Sequence, residues 1–191
     1  MKRVALLDKA SELLPERLGS TSAPLVQGLL AGSLASLFST AVLGLAGRRQ
    51  AGSAAAPLNA VSHWYWGDEA LGRNDTDMTH TALGYLTHHG ASVFWASLYA
   101  LAARKRPQLR TPAGVLGGAA VTGALACFVD FKMTPERLTP GFEHRLSTGA
   151  LAAVYGAFVV GLAAGAWAMR DHYPDDQEQD GPQDDGQEPV R

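Results

Sequence analysis

The stretch MTHTALGYLTHHGASVFWASLYALAA, residues Met78–Ala103, contains three histidines but no aspartate, glutamate, lysine or arginine. A helix rises about 1.5 Å per residue, so roughly 20 such residues are enough to cross the apolar core of a bilayer. Residues four apart lie on one face of a helix, and here that face carries Gly84, His88 and Ser92. Because small residues let membrane helices approach closely, we expect His88 to face other helices rather than lipid.

Three further intervals also lack charged side chains, although the chain as a whole is only 47% hydrophobic. They are residues 18–47, 111–129 and 146–169. A soluble amphipathic helix places a charge on its outer face every turn or two, so four uncharged intervals favour membrane helices. The sequence therefore predicts an all-α fold, a four-helix transmembrane bundle with spans at about 25–46, 81–103, 112–131 and 147–169. A soluble helical bundle rich in alanine and glycine is the alternative.

The two ends of the chain differ in composition from the four-span membrane domain, which we place at residues 21–170. Residues 1–20 begin with basic residues but contain no long apolar run, so we expect no cleavable signal there. They predict an amphipathic surface helix or a frayed segment. Residues 171–191 are rich in acidic residues, proline and glycine, which predicts a disordered acidic tail. Because Cys127 is the sole cysteine, an intrachain disulfide is excluded.

The connection between the first two predicted spans is long, and connections of that length are usually functional or locally folded. Pro57 suits the first turn of a helix, and three aromatic residues follow it at Trp64–Trp66. Because such rings favour the headgroup zone of a bilayer, we expect a short interfacial helix here. The candidate loop contacts are His63, Trp64, Trp66 and Asp68. Solvated loop side chains without a ligand are the alternative.

The third loop contains the dipeptide Thr-Pro twice, at 134–135 and at 139–140. Threonine is a common residue at the N-cap of a helix, and proline is favoured in the first turn. The sequence therefore predicts a short helix after the first Thr-Pro and the start of the fourth span after the second.

Small residues recur at intervals of four in all the predicted spans, a pattern that is typical of close helix packing in membranes. The predicted packing positions are Gly28, Gly32, Ser36, Gly44, Gly118, Thr122, Gly149, Gly161 and Gly165. We expect these faces to bring the helix backbones together in a tight antiparallel bundle.

Ionisable residues inside membrane spans are costly, and they mark functional sites by default. Loops one and three of a four-span protein lie on the same side of the membrane, whichever way it is inserted. The candidate polar cluster at that end is His80, His88, His89, Asp130, Glu143 and Arg145. Basic residues favour the opposite side, so the positive-inside rule predicts cytoplasmic termini and a periplasmic cluster.

Two classes of function fit these residues. In the first, a non-enzymatic structural or partner-binding unit, His88 would bond to Thr40 or Tyr155, and Asp130 would pair with Lys132, His80 or Arg145. In the second, a proton- or small-solute-handling protein, His88 and Asp130 would act together through bridging water. We expect the first class, because four helices with small faces leave little space between them.

Other activities find no support in the sequence. The histidines of the second span lack the i, i+3 or i, i+4 spacing of shared metal ligands, so we expect no metal and no other cofactor. Neither a nucleophile motif nor a glycine-rich phosphate loop is present, which argues against an enzyme. The expected partners are the lipid bilayer and a second copy or another membrane protein, and nucleic acid is not expected.

The order of these features resembles that of the bacterial inner-membrane proteins of the YagU type, over residues 25–170. The shared features are a long aromatic outer loop, a histidine-bearing second span and a Leu-Thr-Pro turn at residues 138–140. The resemblance implies a small multi-pass protein of the inner membrane, from a group without an assigned enzymatic activity.

Overall fold

A computed structural model describes residues 23–170, and in that part of the chain every regular element is helical. The α-helices are α1 (Ala23–Gln50), α2 (Ala56–Val61), α3 (His63–Trp66), α4 (Leu83–Lys105), α5 (Pro112–Phe128) and α6 (Thr148–Ala168). The expectations for residues 1–20 and 171–191 lie outside the described residues. The all-helical prediction is confirmed for the described part.

Short helical turns connect these helices. Two are π-helical, at Met78–Ala82 before α4 and at Val129–Met133 after α5. Four are 3₁₀-helical, at Gly67–Gly72, Pro107–Arg110, Glu136–Leu138 and Phe142–His144. The two π-turns extend α4 and α5 at the same end of the molecule, and such turns are frequent at functional sites.

Three of the long helices have the length and composition to cross a membrane. They are Pro24–Gln50, Pro112–Met133 and Thr148–Ala168. Helix α4 has a similar length, but it is not among them because its polar residues, His88 and His89 above all, lower its mean hydropathy. Length and composition therefore identify three of the four predicted spans, and they do not confirm α4 as the fourth.

Helix α1 packs between α4 and α6 and runs antiparallel to both. A Cβ on Gly32 would lie 2.5 Å from the Cα of Val93 in α4, and a Cβ on Gly165 would lie 2.5 Å from the Cα of Ala31. Contacts between real Cβ atoms and backbone are longer than this, so only glycine permits the observed approach. The small residues thus set the distance of α1 from both of its neighbours.

The small faces do not all make the contacts that their spacing predicts. Gly149 is exposed, and a Cβ there would meet no heavy atom within 4 Å, so its assignment to helix packing is wrong. Gly44 faces only Ala54 of the following loop. Helix α5 contacts α6 through Gly123, which does not belong to the predicted row of small residues. That row lies on a different side of α5, which does not face α6. A spacing of four residues identifies one face of a helix, but it does not identify which neighbour that face contacts.

The other predicted packing positions lie in contacts of three kinds. Gly28 contacts Ser97, and Gly161 contacts the backbone at Ala35, so both belong to close helix pairs. Ser36 is fully buried, and Thr122 donates a hydrogen bond to a backbone oxygen one turn earlier in its own helix. Gly118 faces the aromatic ring of Tyr99, which keeps α4 and α5 apart.

Many large apolar side chains of the long helices point outward, while alanines occupy several of the buried positions. The buried positions of α1 and α4 include Ala31, Ala35, Ala96 and Ala100. The exposed positions of the long helices include Leu29, Leu37, Leu86, Phe94, Leu98, Leu116, Leu125 and Val160. So many exposed large apolar side chains are unusual for water-soluble helices, in which most leucine and phenylalanine side chains face the core.

The connections 51–77 and 134–147 pack against each other at one end of the long helices, and together we call them the cap. Trp64 Nε1 donates to the carbonyl of Thr139 at 2.8 Å, and Arg145 donates to the carbonyl of Leu71 at 2.8 Å. Buried Asn59 accepts a hydrogen bond from Thr81 at 2.6 Å. These bonds join both loops to the start of the α4 segment.

Two expectations for the cap differ from the structure. The helix at Pro57, α2, is buried in protein along its whole length, and only the following α3 exposes its aromatic residues Tyr65 and Trp66. The second Thr-Pro does not begin a helix, because Gly141 turns the chain at a φ of 86°. Helix α6 begins later, where the Ser147 side chain accepts a hydrogen bond from the backbone N–H of Ala150.

Candidate functional site

A cavity of about 80 Å³ lies beneath the cap, between all four long helices, and we call it the chamber. Its polar lining comes from Ser39 of α1, Thr87, His88 and Ser92 of α4, Asp130 after α5, and Tyr155 of α6. Trp64 and Phe142 of the cap also line it. Most of the remaining lining is apolar, so the few polar groups determine what the chamber can bind.

His88 is held in place by a hydrogen bond to a neighbouring helix. Its Nε2 atom lies 2.8 Å from the Oγ of Ser39, and Phe142 lies edge-on to its ring at 6.4 Å. Ser39 also donates to the carbonyl of Ala35 at 2.8 Å. A hydroxyl has one hydrogen, so when Ser39 uses it on Ala35, His88 Nε2 is the donor and Nδ1 remains able to accept a proton.

Asp130 and Tyr155 form the second polar pair of the chamber. The Tyr155 hydroxyl donates to Asp130 Oδ2 at 2.6 Å. The rings of Phe131 and Phe142 lie edge-on to Tyr155 at 6.0 and 6.5 Å. A partly buried carboxylate is costly without a hydrogen-bond donor, and the phenol supplies one.

The hydrogen-bond partners in the chamber differ from those expected. His88 bonds to Ser39 rather than to Thr40 or Tyr155, and Asp130 bonds to Tyr155 rather than to Lys132, His80 or Arg145. Successive helical residues point about 100° apart, so a change of one residue selects a different neighbour. The structure brings His88 and Asp130 to the same chamber, with each bound to its own partner.

His80 lies outside the chamber, at the start of the α4 segment. The Asp77 carboxylate accepts a hydrogen bond from the His80 backbone N–H at 2.6 Å, and it lies 3.2 Å from the ring nitrogen Nδ1. The backbone N–H of His80 is the main cause that lowers the pKa of Asp77. The ring of Trp66 lies 6.2 Å from that of His80. These contacts place His80 at the beginning of the α4 segment, where Asp77 provides the N-cap.

The other candidate residues of the cluster are also separated from the chamber lining. His89 packs its ring against Tyr85 at 5.7 Å. Glu143 lies 3.9 Å from the exposed ring of His144. Arg145 binds backbone and side-chain oxygens of the first loop, including Asn74 Oδ1. The predicted cluster of six residues therefore contributes two of them, His88 and Asp130, to one cavity.

The candidate loop contacts act mainly in holding the cap together. His63 is buried, and its Nε2 lies 2.9 Å from the Thr139 carbonyl, which also accepts from Trp64. Trp66 donates to the Thr79 carbonyl at 3.2 Å, and Asp68 is exposed. Only Trp64 of these four residues also lines the chamber.

Sequence reasoning missed several residues of the site. Ser39 is one of many small residues in the first span, and Trp95 is one of several aromatic residues in the second, so neither stands out in the sequence. Tyr155 is expected from the sequence only as a partner of His88, although it is the sole tyrosine of α6. A hydroxyl that is isolated in an apolar span is the signal that could have identified it.

The chamber is large enough for several water molecules, because one water needs roughly 10–15 Å³ on this measure of volume. An imidazole, a phenol and a carboxylate around such a volume can bind and exchange protons, or bind a small molecule that forms hydrogen bonds. Within residues 23–170, no group of three or more histidine, cysteine, aspartate or glutamate side chains is arranged to hold a metal ion.

No protein-family model matches the chain, and neither a curated protein nor a solved structure is significantly similar to it. The three apolar helices are compatible with a membrane protein.

Proposed function

We propose that this chain is a four-span membrane protein that handles protons or a small solute through the chamber. The observation that carries this proposal is the presence of two hydrogen-bonded pairs, His88 with Ser39 and Asp130 with Tyr155, in the lining of one largely apolar cavity. Ionisable groups at such a position in a membrane protein are expensive and are retained where they serve ion or substrate movement.

The connections support four crossings rather than three. Loop one follows α1, loop three precedes α6, and their hydrogen bonds at Thr139 and Leu71 put both loops at the same end. If α1, α5 and α6 cross the membrane, the chain must return between loop one and α5, and α4 is the only long helix in that interval. Helix α4 would then span the bilayer together with its histidines.

The surface of α4 also suits a lipid environment. Its outward side chains include Leu86, Phe94, Leu98 and Leu101, all exposed, while its charged residues begin only at Arg104. The histidines that lower its mean hydropathy lie toward the cap end, and the His88 ring bonds to α1 rather than facing outward. A helix of this kind can be accommodated in a bilayer where its polar side chains have protein partners, as those of His88, Ser92 and Tyr99 do.

For the location we propose the bacterial inner membrane, with the termini in the cytoplasm and the cap in the periplasm. The basic residues of the link 104–110 lie at the end opposite the cap, which supports this orientation. The resemblance to YagU-type proteins supports the same compartment.

The proposal can be tested with the full chain reconstituted in lipid vesicles. Proton flux is measured with an enclosed pH-sensitive dye after a pH jump, and entry of glycerol, a small neutral solute, is measured by light scattering. We expect a flux above that of protein-free vesicles, and its loss in His88→Ala and Asp130→Asn. The matched control is His144→Ala, which removes an exposed imidazole at the same end but outside the chamber.

A purely structural or partner-binding unit, without enzymatic activity, is the second candidate. It is favoured by the hydrogen bonds that His88 and Asp130 already form with other helices, because such bonds can serve stability alone. Vesicles that show no flux of either kind with the unaltered protein, together with lowered thermal stability of His88→Ala, would support this candidate and overturn the first.

A further inference from the structure

A second cavity lies between α4 and α5, toward the end opposite the cap. It has a volume of about 500 Å³, in the range of roughly 300–1,000 Å³ that is common for ligand sites. Its apolar lining includes Leu98, Tyr99, Leu109, Val121 and Leu125. We call it the groove, and Trp95 lines both the groove and the chamber.

The groove exists because an aromatic ring keeps α4 and α5 apart. A Cβ on Gly118 of α5 would lie 2.7 Å from the ring of Tyr99. The Tyr99 hydroxyl donates to the carbonyl of Leu109 at 2.8 Å, which fixes the ring under the link between the helices. On the outer side, Leu98, Val121 and Leu125 are exposed, so the groove opens toward the surroundings of the bundle.

One end of the groove lies at a basic link. Arg106 lines it and is exposed, and the link 104–110 contains three further basic residues and no acidic one. Arg110 donates to the carbonyls of Ala103 and Arg104 at 3.0 and 2.8 Å, which holds the link against the end of α4. The combination is an apolar groove between two helices that ends at Arg106 of a basic link.

We propose that the groove binds one acyl chain of an anionic phospholipid, whose phosphate lies at Arg106. Basic pockets between membrane helices on the cytoplasmic side are suited to acidic headgroups, and the apolar walls match an acyl chain. We propose an anionic rather than a zwitterionic lipid because of charge. A zwitterionic lipid would match the apolar walls but would not balance the net positive charge of the link. The proposal rests on α4 and α5 crossing the membrane, as in the proposed topology.

The test uses native mass spectrometry of the full chain released from detergent. The two probes are phosphatidylglycerol and phosphatidylcholine with identical acyl chains, added at equal concentration. We expect the unaltered protein to retain phosphatidylglycerol preferentially. Arg106→Gln should reduce that preference about fivefold, since one basic residue near an anionic headgroup contributes about 1 kcal/mol. Arg73→Gln, an exposed arginine at the cap, is the matched control and should change nothing.

A second pair of variants tests the groove itself. Gly117 lines the groove and is exposed, and a Cβ there meets nothing within 4 Å, so Gly117→Leu should fill the groove without disturbing the fold. This variant should lose bound lipid of both kinds. Gly156→Leu places the same side chain at an equally open position on α6, outside the groove, and should retain lipid.

Three results would overturn the lipid site. They are equal retention of the two lipids, unchanged retention in Gly117→Leu, and a dimer that Gly117→Leu dissociates, which would assign the groove to a second copy. His88→Ala should bind phosphatidylglycerol like the unaltered protein. A protein that shows proton flux but does not bind the lipid would therefore contradict this inference alone. A protein that binds the lipid but shows no flux would contradict the proposed function alone.

Discussion

Asp130 and Tyr155 illustrate how single residues depend on each other in an apolar setting. Their hydrogen bond of 2.6 Å joins the end of the α5 segment to α6, and both side chains line the chamber. A carboxylate that loses its donor in such a place retains the cost of leaving water without compensation. The pair should consequently contribute to stability as well as to any proton exchange.

Tyr155→Phe removes the hydroxyl while keeping the ring, and we expect a loss of stability of about 1–3 kcal/mol, because Asp130 is left without its donor. The measurement is the thermal unfolding midpoint of the purified protein in detergent. Tyr65→Phe is the control, since Tyr65 is exposed and takes part only in a weak contact with Thr87 at 3.4 Å. Equal midpoints for the two variants would contradict the role of Tyr155.

Asp77 should make the stability depend on acidity. Its pKa is lowered in the folded protein, so the stabilisation that it provides is complete above its ordinary value of 3.8 and is lost as the pH falls through the folded value. Asp77→Asn keeps an oxygen that can accept from His80 but does not titrate. We expect its unfolding midpoint to vary less than that of the unaltered protein when measured from pH 5 downward. Parallel pH profiles would refute this expectation.

At the scale of elements, glycines decide which helices approach closely. The pairs α1–α4 and α1–α6 bring backbone against backbone, whereas α4 and α5 are separated by the Tyr99 ring. The same residue type with the same spacing therefore has opposite consequences in different helices. Close contact requires a glycine on one helix to face the backbone of another.

Gly32→Ala should destabilise the protein by about 1–3 kcal/mol, the usual cost of overpacking, since its new methyl group would collide with the backbone of α4 at Val93. Gly149→Ala should be neutral or slightly stabilising, because the position is open and alanine favours helix more than glycine does. Thermal unfolding of both variants in the same detergent provides the comparison. A greater loss of stability in Gly149→Ala than in Gly32→Ala would contradict this expectation and would indicate that Gly149 does take part in helix packing.

At the scale of the whole molecule, the cap distinguishes one end of the bundle from the other. Both loops of the cap lie at the chamber end, and the basic link lies at the groove end. A four-span topology puts these two ends on opposite sides of the membrane. The polar chamber and the proposed lipid site then lie toward opposite ends of one small protein.

Labelling of single cysteines by a membrane-impermeant maleimide in intact cells can test this topology, after Cys127→Ser removes the native thiol. We expect Tyr65→Cys and His144→Cys to react from the periplasmic side and Gln108→Cys to react only after the cells are opened. All three native side chains are exposed, whereas Phe142 of the same loop is buried and would be a poor probe. Labelling of Gln108→Cys together with Tyr65→Cys would exclude a crossing by α4.

Part of the site could be predicted because it depends on order along the chain. His88 and Asp130 stand out as ionisable residues in apolar intervals, and antiparallel helices bring the start of one span near the end of the next. Ser39 could not be predicted as the partner of His88, because it differs from Thr40 only by one step of helix rotation. The separation of His80 from the chamber likewise depends on Asp77, a residue of the preceding turn.

The sequence by itself determined the helical class and the positions of the long apolar helices, since hydropathy and helix length are properties of about 20 consecutive residues. Only the tertiary structure decided that α2 is buried, that α5 meets α6 through Gly123, and that a groove separates α4 from α5. Those features depend on the rotation of each helix about its own axis and on the packing of loops. A helix lined by small residues can pack in many rotations about its axis that are similar in local energy. The contacts of the whole molecule therefore determine which rotation the helix adopts.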